Sequence, residues 1–186
     1  MPPRAPKPPP QFVAGPNPPR PRNTFVAVDF ETADRGADSA CAVGLVRVEN
    51  WQIVHREVRL LRPPRRWIQF SFLHGITWDH VKDQPTFAEA WPELSRVFEG
   101  TDSLAAHNAG FDRSVLNACC RAAGVEPPDI PFQCTMRIAR RVWGIYPTKL
   151  PNVCAHLGLP LRHHDAGSDA EACARIMIEA FRCLTR

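Results

Sequence analysis

Three short segments that lie far apart in the chain each place carboxylates beside an apolar stretch. They are FVAVDFETA with Asp29 and Glu31, AHNAGFD with Asp112, and HHDAGSDA with His164 and Asp169. Two divalent cations roughly 3.5 to 4 Å apart need oxygen ligands, and a nearby base must take a proton from the attacking water. Four carboxylates and a histidine therefore indicate a two-metal site for phosphodiester hydrolysis, which the fold must assemble from distant segments.

The first segment has the pattern of a strand that carries two acids on one face. Side chains alternate along a strand, so Asp29 and Glu31 project to the same side and can bind one metal. Val26, Val28 and Phe30 then project to the other side, where they can pack beneath helices. Taken alone, two acids at this spacing are more typical of a polar exit from a strand, and only the other segments favour a metal site.

The second segment predicts a helix that starts near an acid. Gly110 permits an unusual backbone angle after the apolar strand, and the carboxylate of Asp112 would sit at the helix start. An acid at that place is frequently only a cap or a partner of the helix dipole. Phe111 could be a core residue at the helix entry, and His107 and Asn108 could either hold the turn or touch substrate.

The third segment places His164 five residues before an acid that should face the protein interior. From Asp169, the apolar residues Cys173, Ile176 and Ala180 follow at helical spacing, so the carboxylate shares their buried side. An uncompensated buried carboxylate is costly, and metal coordination supplies the compensation. Histidine suits the role of base because its ordinary pKa is about 6.5.

Composition divides the chain into a short tail and one domain. Residues 1–22 contain ten of the twenty prolines, four basic residues and no acid, which predicts a disordered, proline-rich basic tail. The tail accounts for the whole net charge of +4, since the rest balances 19 basic and 19 acidic residues. The tail could attract nucleic acid or serve as a solubilising linker, and the sequence leaves both roles open. Residues 23–186 are long enough and apolar enough for one folded domain.

Local patterns along residues 23–186 indicate an α/β fold. Three successive strands followed by alternating helices and strands favour this class. We predict strands at 24–31, 40–48, 52–61 and 103–107, and helices at 87–99, 112–123, 135–143, 150–157 and 168–184.

Cysteine usage and hydropathy bear on the compartment. The seven cysteines form no CxxC pair, which is typical of a reduced protein rather than a disulfide framework. No apolar run has the length of a membrane span, and the proline-rich start lacks the apolar region of a signal peptide. We therefore expect a cytoplasmic protein with no membrane partner.

In their order, the three acidic segments resemble those of the DEDDh exonucleases, specifically the group similar to the epsilon subunit of DNA polymerase III. The block FLHGITWDHVKDQPTFAEAWPEL also resembles the family stretch between the first two motifs, so the likeness covers about residues 24–184. It implies an RNase H-like fold with a central mixed five-stranded sheet flanked by helices, and an exonuclease domain over residues 23–186. It also implies cleavage from the 3′ end.

The resemblance implies separate roles for the five site residues. Asp29 would bridge both metals, Glu31 and Asp169 would complete the site that holds the attacking water, and Asp112 would support the second metal. His164 would be the general base, and the products would be nucleoside 5′-monophosphates. The hard oxygen ligands favour two Mg²⁺ or Mn²⁺ ions over zinc.

Further residues are placed by the same resemblance. The family spacing H-x-A-x-x-D-A is met by His164 and not by His163, for which we expect a solvated or phosphate-facing position. The predicted substrate contacts are Thr32, His74, Asn108 and Phe111.

A basic stretch with aromatic residues begins within the third strand and continues beyond it. It comprises Arg56, Arg59, Arg62, Arg65 and Arg66 beside Trp67 and Phe70. Such a stretch could track a single strand through phosphate pairing and base stacking. It could equally be a solvated strand edge that charge protects from aggregation.

Three functions are consistent with the sequence. The first is a 3′-to-5′ exonuclease of proofreading or repair type that acts on single-stranded DNA or frayed DNA 3′ ends, alone or with a DNA polymerase. The second is a 3′-to-5′ exoribonuclease on short RNA or tRNA ends. The third is a non-catalytic nucleic-acid-binding module, against which the repulsive carboxylate cluster argues, since binding alone does not need it.

Overall fold

The computed structural model describes residues 23–185. The segment for which we predict a disordered tail, residues 1–22, lies outside the described residues. The start of the predicted domain therefore coincides with the first described residue, and the boundary itself stays a prediction.

Five strands form one mixed sheet in the order β3-β2-β1-β4-β5. Strands β1 to β3 are an antiparallel meander, whereas β4 is parallel to β1 and β5 is parallel to β4. This confirms the predicted mixed five-stranded sheet. The strands are β1 (Thr24–Thr32), β2 (Ala40–Glu49), β3 (Gln52–Leu60), β4 (Ser103–Ala106) and β5 (Phe132–Cys134).

Seven α-helices accompany the sheet within residues 23–185. They are α1 (Ser71–His74), α2 (Trp78–Val81), α3 (Phe87–Leu94), α4 (Gly110–Ala122), α5 (Thr135–Trp143), α6 (Leu150–Leu157) and α7 (Ala166–Leu184). The predicted bounds of α5 and α6 are confirmed. Both helices end at a glycine with a positive φ, Gly144 at 64° and Gly158 at 66°, a conformation that glycine adopts at low cost.

Three helices differ from their predicted bounds. The pattern over 87–99 contains α3 and then a 3₁₀ turn, Ser95–Phe98, and such turns are frequent where an α-helix ends. Helix α4 starts two residues before Asp112, which lies in its first turn. Helix α7 starts at Ala166, since the side chain of Asp165 caps it by accepting a hydrogen bond from the Ser168 amide at 2.9 Å.

The two faces of β1 belong to different layers of the core. Val26, Val28 and Phe30 are buried against α3 and α4, as predicted. Phe25 and Ala27, on the opposite face, are buried against α7. Asp29 and Glu31 lie on the same face of β1 as Phe25 and Ala27, so the strand directs both carboxylates toward α7.

Two glycines let α7 approach the sheet at backbone distance. Gly44 lies opposite Asp29 in the register of β1 and β2. A Cβ atom added at Gly44 would overlap the carbonyl oxygen of Ala166, and one added at Gly167 would overlap Val58. The first turn of α7 therefore rests directly on the sheet beside the two acids of β1.

Within residues 23–185, none of the helices combines the length and the apolar character that crossing a bilayer requires.

Candidate active site

Three carboxylates meet where the end of β1 faces the first turns of α7. Asp29 and Glu31 come from the strand and Asp169 comes from the helix. One oxygen of each lies within 4.8 Å of the others. The structure thus brings together acids that are up to 140 positions apart in sequence, in an arrangement that one cation could bridge.

Asp112 approaches the same region from α4. Its side chain is 1% exposed, and its Oδ1 accepts a hydrogen bond from the Phe30 amide at 3.0 Å. It is not one of the three acids whose oxygens lie within 4.8 Å of one another. Its charge nevertheless raises the pKa of Asp29, so the two carboxylates are close enough to repel each other.

The two carboxylate oxygens of Asp169 have different surroundings. Oδ2 accepts hydrogen bonds from His163 Nδ1 at 2.9 Å and from the His164 amide at 3.2 Å. Oδ1 is buried and has no hydrogen-bond partner. A buried oxygen without a partner is costly unless something compensates for it, and a cation beside Asp29 and Glu31 would do so.

Burial raises the pKa of all four carboxyl groups in the site, and repulsion by neighbouring carboxylates adds to the rise for Asp29, Glu31 and Asp112, whereas contacts with His163 and His164 oppose it for Asp169. Burial is the largest cause throughout, followed for Asp29 by the charges of Asp112 and Asp169. The pKa of Glu31 rises to about 8. That of Asp112 rises to about 7 although the Phe30 amide opposes the shift. Four acids that resist ionisation together form an oxygen donor set suited to divalent cations.

His164 has the properties that a general base needs. Its backbone has a left-handed φ of 67°, an uncommon conformation for a non-glycine residue that is concentrated at functional sites. Burial, and then the neighbouring His163, lower its pKa. Neutral imidazole, the form that accepts a proton, therefore predominates near pH 7.

His163 contacts the site, which the sequence did not predict. Its ring stacks on that of His164 with centroids 3.9 Å apart, and its Nδ1–H donates to Asp169. The expected solvated position agrees with a side chain that is 40% exposed and lines the cleft, whereas the hydrogen bond to Asp169 was not predicted. The spacing of His163 to Asp169 carries no signal for this contact, because it depends on how the loop before α7 turns back over the helix.

A cleft of about 290 Å³ opens above the carboxylates. Its lining includes all the predicted catalytic residues except Asp112, together with Thr32, Phe70, Leu73, His74 and Phe111. A larger cavity, about 530 Å³, lies between β3 and α7. None of the five predicted catalytic residues lines that second cavity, so we assign the chemistry to the smaller cleft.

Three of the four predicted substrate contacts line the cleft, namely Thr32, His74 and Phe111. Asn108 does not. It has a left-handed φ of 66° and its carbonyl accepts the Phe111 amide at 2.9 Å, which is a turn role. His74 Nδ1 accepts the Ile76 amide at 3.0 Å, so Nε2 carries the proton and donates to the Thr32 carbonyl at 3.2 Å.

His107, just after β4, is within hydrogen-bond distance of two residues later in the chain. Its ring nitrogens lie 2.9 Å from Thr135 Oγ1 and 3.0 Å from the carbonyl oxygen of Thr148. Of the two roles that the sequence left open, the contacts favour holding the turn.

Ion pairs neutralise most of the basic stretch. Four of its five arginines lie within 4 Å of a carboxylate, whereas Arg66 has no such partner among residues 23–185 and lies over the Trp78 ring at 5.4 Å. The pairs are Arg56 with Glu171, Arg59 with Glu57, Arg62 with Glu89, and Arg65 with Asp34 and Asp38. These contacts favour the charged strand edge over a continuous phosphate track.

The sequence matches the RNase_T family model, described as exonuclease, over residues 26–177. The chain belongs to this exonuclease family. The order of its three acidic segments resembles that of the DEDDh group of exonucleases. Enzymes of this group generally use divalent metal ions, and the donor set described above fits them.

Curated relatives of this exonuclease include two kinds of protein. It is 30% identical over 159 residues to the PolC-type DNA polymerase III of Thermotoga petrophila, a match that covers 83% of the chain but 12% of the relative. It is 32% identical over 148 residues to exodeoxyribonuclease 10 of Escherichia coli K12, covering 74% of the chain and 60% of the relative. The exonuclease thus corresponds to a small part of the polymerase.

Solved structures share the fold. Exonuclease X in complex with 5′ overhanging duplex DNA is 25% identical, with a TM-score of 0.69 over 87% of this chain and 93% of that one. The nuclease domain of 3′hExo, a DEDDh family member bound to rAMP, is 20% identical, with a TM-score of 0.75 over 87% and 92%. These likenesses confirm the RNase H-like architecture.

Proposed function

We propose that this exonuclease removes nucleoside 5′-monophosphates from the 3′ ends of single-stranded or frayed DNA, with two Mg²⁺ or Mn²⁺ ions. The observation that carries the proposal is the unpartnered Oδ1 of Asp169, buried beside Asp29 and Glu31 at the base of an open cleft. Such an oxygen, in a cluster that repels its own negative charge, is explained by a cation that binds there during the reaction.

Four side chains would hold the cations. Asp29, Glu31 and Asp169 offer oxygens close enough to share one ion. Asp112 is close enough to affect the pKa of Asp29 and would help to hold a second ion. Bound divalent ions supply positive charge to the phosphate and lower the pKa of an attacking water. The amide of Phe30 orients the carboxylate of Asp112, and two donors orient that of Asp169, so these two ligands would need little rearrangement on binding.

His164 would take the proton from the attacking water. Within the described part of the chain its ring nitrogens make no hydrogen bond, and the ring lines the cleft with one nitrogen within 4.8 Å of an Asp169 oxygen. Because its lowered pKa keeps it neutral, a ring nitrogen is free to accept that proton. Stacking on His163 limits the orientations that the ring samples.

The rest of the cleft would hold the terminal nucleotide. Phe111 and Leu73 provide apolar walls, and His74 is fixed at the edge by its bond to Thr32. Apolar walls around a few oriented polar groups are typical of a small-molecule site. A single nucleotide fits this description better than a duplex end does.

DNA is the proposed substrate because the relatives point to it. One relative is named an exodeoxyribonuclease, another a DNA polymerase, and exonuclease X binds duplex DNA in its solved complex. The polymerase relatives also support a proofreading or repair role, alone or beside a DNA polymerase. The complex of 3′hExo with rAMP keeps short RNA or tRNA ends as the alternative.

The test uses a 3′-labelled single-stranded DNA and an RNA of the same sequence. With Mg²⁺ or Mn²⁺ we expect labelled mononucleotide as the first product from DNA, and none after chelation. Asp29→Ala should abolish release, whereas Asp129→Asn, at an exposed acid outside the cleft, should not. Release that survives Asp29→Ala would refute the metal site, and faster release from RNA would transfer the proposal to an exoribonuclease.

A further inference from the structure

Two histidines and one carboxylate form a second group of metal-ligating atoms in the cleft. A ring nitrogen of His163, a ring nitrogen of His164 and an oxygen of Asp169 all lie within 4.8 Å of one another. We call these three residues the imidazole site. Asp169 also belongs to the acidic cluster with Asp29 and Glu31, but neither histidine does. The two groups therefore share one ligand and differ in the kind of atom that the others offer.

The kind of donor atom decides which metal each group prefers. Mg²⁺ and Mn²⁺ take oxygen ligands, whereas imidazole nitrogen suits zinc. Two imidazoles and one carboxylate, with a fourth position left to water, are an established ligand set for zinc in proteins. The imidazole site thus fits zinc, and the acidic cluster fits the cations that the reaction would use.

Two of the three donors are already almost at zinc-binding distance from each other. His163 Nδ1 and Asp169 Oδ2 are 2.9 Å apart. Bonds of about 2.0 to 2.2 Å to a tetrahedral ion place two ligand atoms roughly 3.3 Å apart, so a small movement admits the ion between them. The ion replaces the proton on Nδ1, and the imidazole then carries its proton on Nε2. Because the His163 side chain is 40% exposed, zinc can reach this position from solvent.

The third donor is held beside the other two by its own backbone. The His164 amide donates to Asp169 Oδ2 at 3.2 Å. Its ring stacks on that of His163 with the planes 24° from parallel, and it must turn about its Cα–Cβ bond to direct a nitrogen at the same ion. Within residues 23–185 the His164 ring nitrogens make no hydrogen bond, so this rotation breaks none.

We propose that the imidazole site binds zinc and that bound zinc inhibits the nuclease. Zinc at this position occupies the ring nitrogen of His164 that would take the proton from the attacking water. It also draws on Asp169, a ligand of the catalytic cations. The zinc site itself stands independently of the proposed function, whereas the inhibition rests on it.

Zinc binding is measured in a variant that lacks one acid of the acidic cluster. Asp29→Asn removes that acid and leaves the imidazole site intact, and we expect it to bind one Zn²⁺ ion in calorimetry. Adding His163→Phe keeps an aromatic ring against His164 but deletes the nitrogens. This second substitution should weaken zinc binding more than about a hundredfold, since losing even an outer partner of a ligand costs about 10 to 100-fold. Adding His164→Phe instead should have the same effect, and unchanged binding in both double variants would overturn the proposal.

Cobalt reports which atoms hold the metal. Co²⁺ takes the place of zinc, and its visible absorption is strong in a tetrahedral site. The Asp29→Asn variant should give this absorption without sulfur-to-cobalt charge-transfer bands, and the added His163→Phe should abolish it. Charge-transfer bands would show that a cysteine, such as the exposed Cys183, holds the metal, and they would overturn the assignment of the ligands.

A matched control lies on another helix. His156 is exposed on α6 and does not line the cleft. His156→Phe in the Asp29→Asn background makes the same chemical change as His163→Phe and should alter neither zinc binding nor the cobalt spectrum. Thermal unfolding of every variant in a chelator checks that the fold is intact.

Inhibition is measured by adding Zn²⁺ to wild type that is cleaving 3′-labelled DNA in excess Mg²⁺. Each rate is divided by the rate of the same variant without zinc, because His163→Phe is itself expected to lower kcat. The zinc concentration for half inhibition should rise about tenfold or more in His163→Phe and stay unchanged in His156→Phe.

The outcomes separate failure of this inference from failure of the proposed function. Equal zinc sensitivity of wild type and His163→Phe would overturn the inhibitory role of the imidazole site and place the inhibiting ion in the acidic cluster. A wild type that zinc does not inhibit would overturn that role as well. If the wild type hydrolyses no nucleic acid, the proposed function fails, while calorimetry and the cobalt spectrum still decide whether the zinc site exists.

Discussion

Removing one negative charge from the carboxylate cluster should stabilise the metal-free enzyme while it abolishes the reaction. Glu31→Gln keeps the shape and the size of the side chain and deletes its charge. In the fold, burial and then the charge of Asp169 raise the pKa of Glu31 from the ordinary 4.5 to about 8. The wild type therefore spends folding free energy on ionising Glu31 at pH 8, and the variant does not.

The size of the effect follows from the pKa. At about 1.4 kcal/mol for each pKa unit, ionising Glu31 costs the folded state about 5 kcal/mol if solvent is ignored. Its side chain is partly exposed, and screening reduces this to about 2 kcal/mol. For a chain of this size, about 1 kcal/mol moves Tm by roughly 2 to 4 °C. We therefore expect Glu31→Gln to raise Tm by about 4 to 8 °C at pH 8 without metal.

The direction of the pH dependence is fixed by the same shift. A carboxyl group whose pKa is raised by folding favours the folded state while it is protonated, so its contribution is complete below pH 4.5 and is lost as the pH rises to 8. The gain in Tm from Glu31→Gln should accordingly shrink between pH 8 and pH 5. Excess Mn²⁺ should reverse the order, because ligand binding stabilises the intact site by about 2.7 kcal/mol at one hundred times Kd.

The assay is thermal unfolding in EDTA at pH 5 and pH 8, repeated at pH 8 with Mn²⁺. Glu126→Gln is the matched control, since Glu126 is exposed and remote from the cluster, and it should leave Tm unchanged at both pH values. A Glu31→Gln variant that is less stable than wild type at pH 8 in EDTA, or that gains equally at pH 5, would refute the account of the site as a set of mutually repelling acids.

Two further predictions concern contacts around the helix that carries Asp169. His163→Ala should lower kcat and weaken Mn²⁺ binding measured by calorimetry, each about tenfold, which is the usual cost of losing a hydrogen bond that orients a metal ligand. His163→Asn keeps a donor near the Nδ1 position and should recover both quantities. Equal losses in the two variants would contradict the prediction. Gly44→Ala should destabilise the fold by about 1 to 3 kcal/mol in urea unfolding, because its Cβ would overlap the Ala166 carbonyl. The comparison is Gly110→Ala, where nothing lies within 4 Å of the added atom, and equal destabilisation by both would contradict the prediction.

The sequence predicted the parts of this enzyme that local patterns encode. The alternation of side-chain direction along β1 correctly placed Asp29 and Val28 on opposite faces of the strand. The glycines after α5 and α6 marked where those helices end. Strand β5 and helices α1 and α2 have three or four residues, too few to show a period, whereas the equally short β4 was predicted from its apolar run.

Other features depend on contacts between residues that are distant in sequence. Arg56 pairs with Glu171, 115 positions later, and no local sequence pattern predicts that ion pair. The hydrogen bond from His163 to Asp169 likewise depends on the path of a loop. The sequence therefore supplied the types of the catalytic residues, whereas the structure was needed to say which of the surrounding groups are engaged and which are free.

The close approach of α7 to β2 at Gly44 has a consequence for how such an enzyme tolerates mutation. The separation between the acids of the strand and Asp169 is set by main-chain contact, and side chains such as Ile178 pack farther along the same helix. We expect substitutions in that distant part of the core to change stability and to leave the separation of the acids intact. The positions that should not tolerate larger side chains are Gly44 and Gly167, where helix and sheet touch.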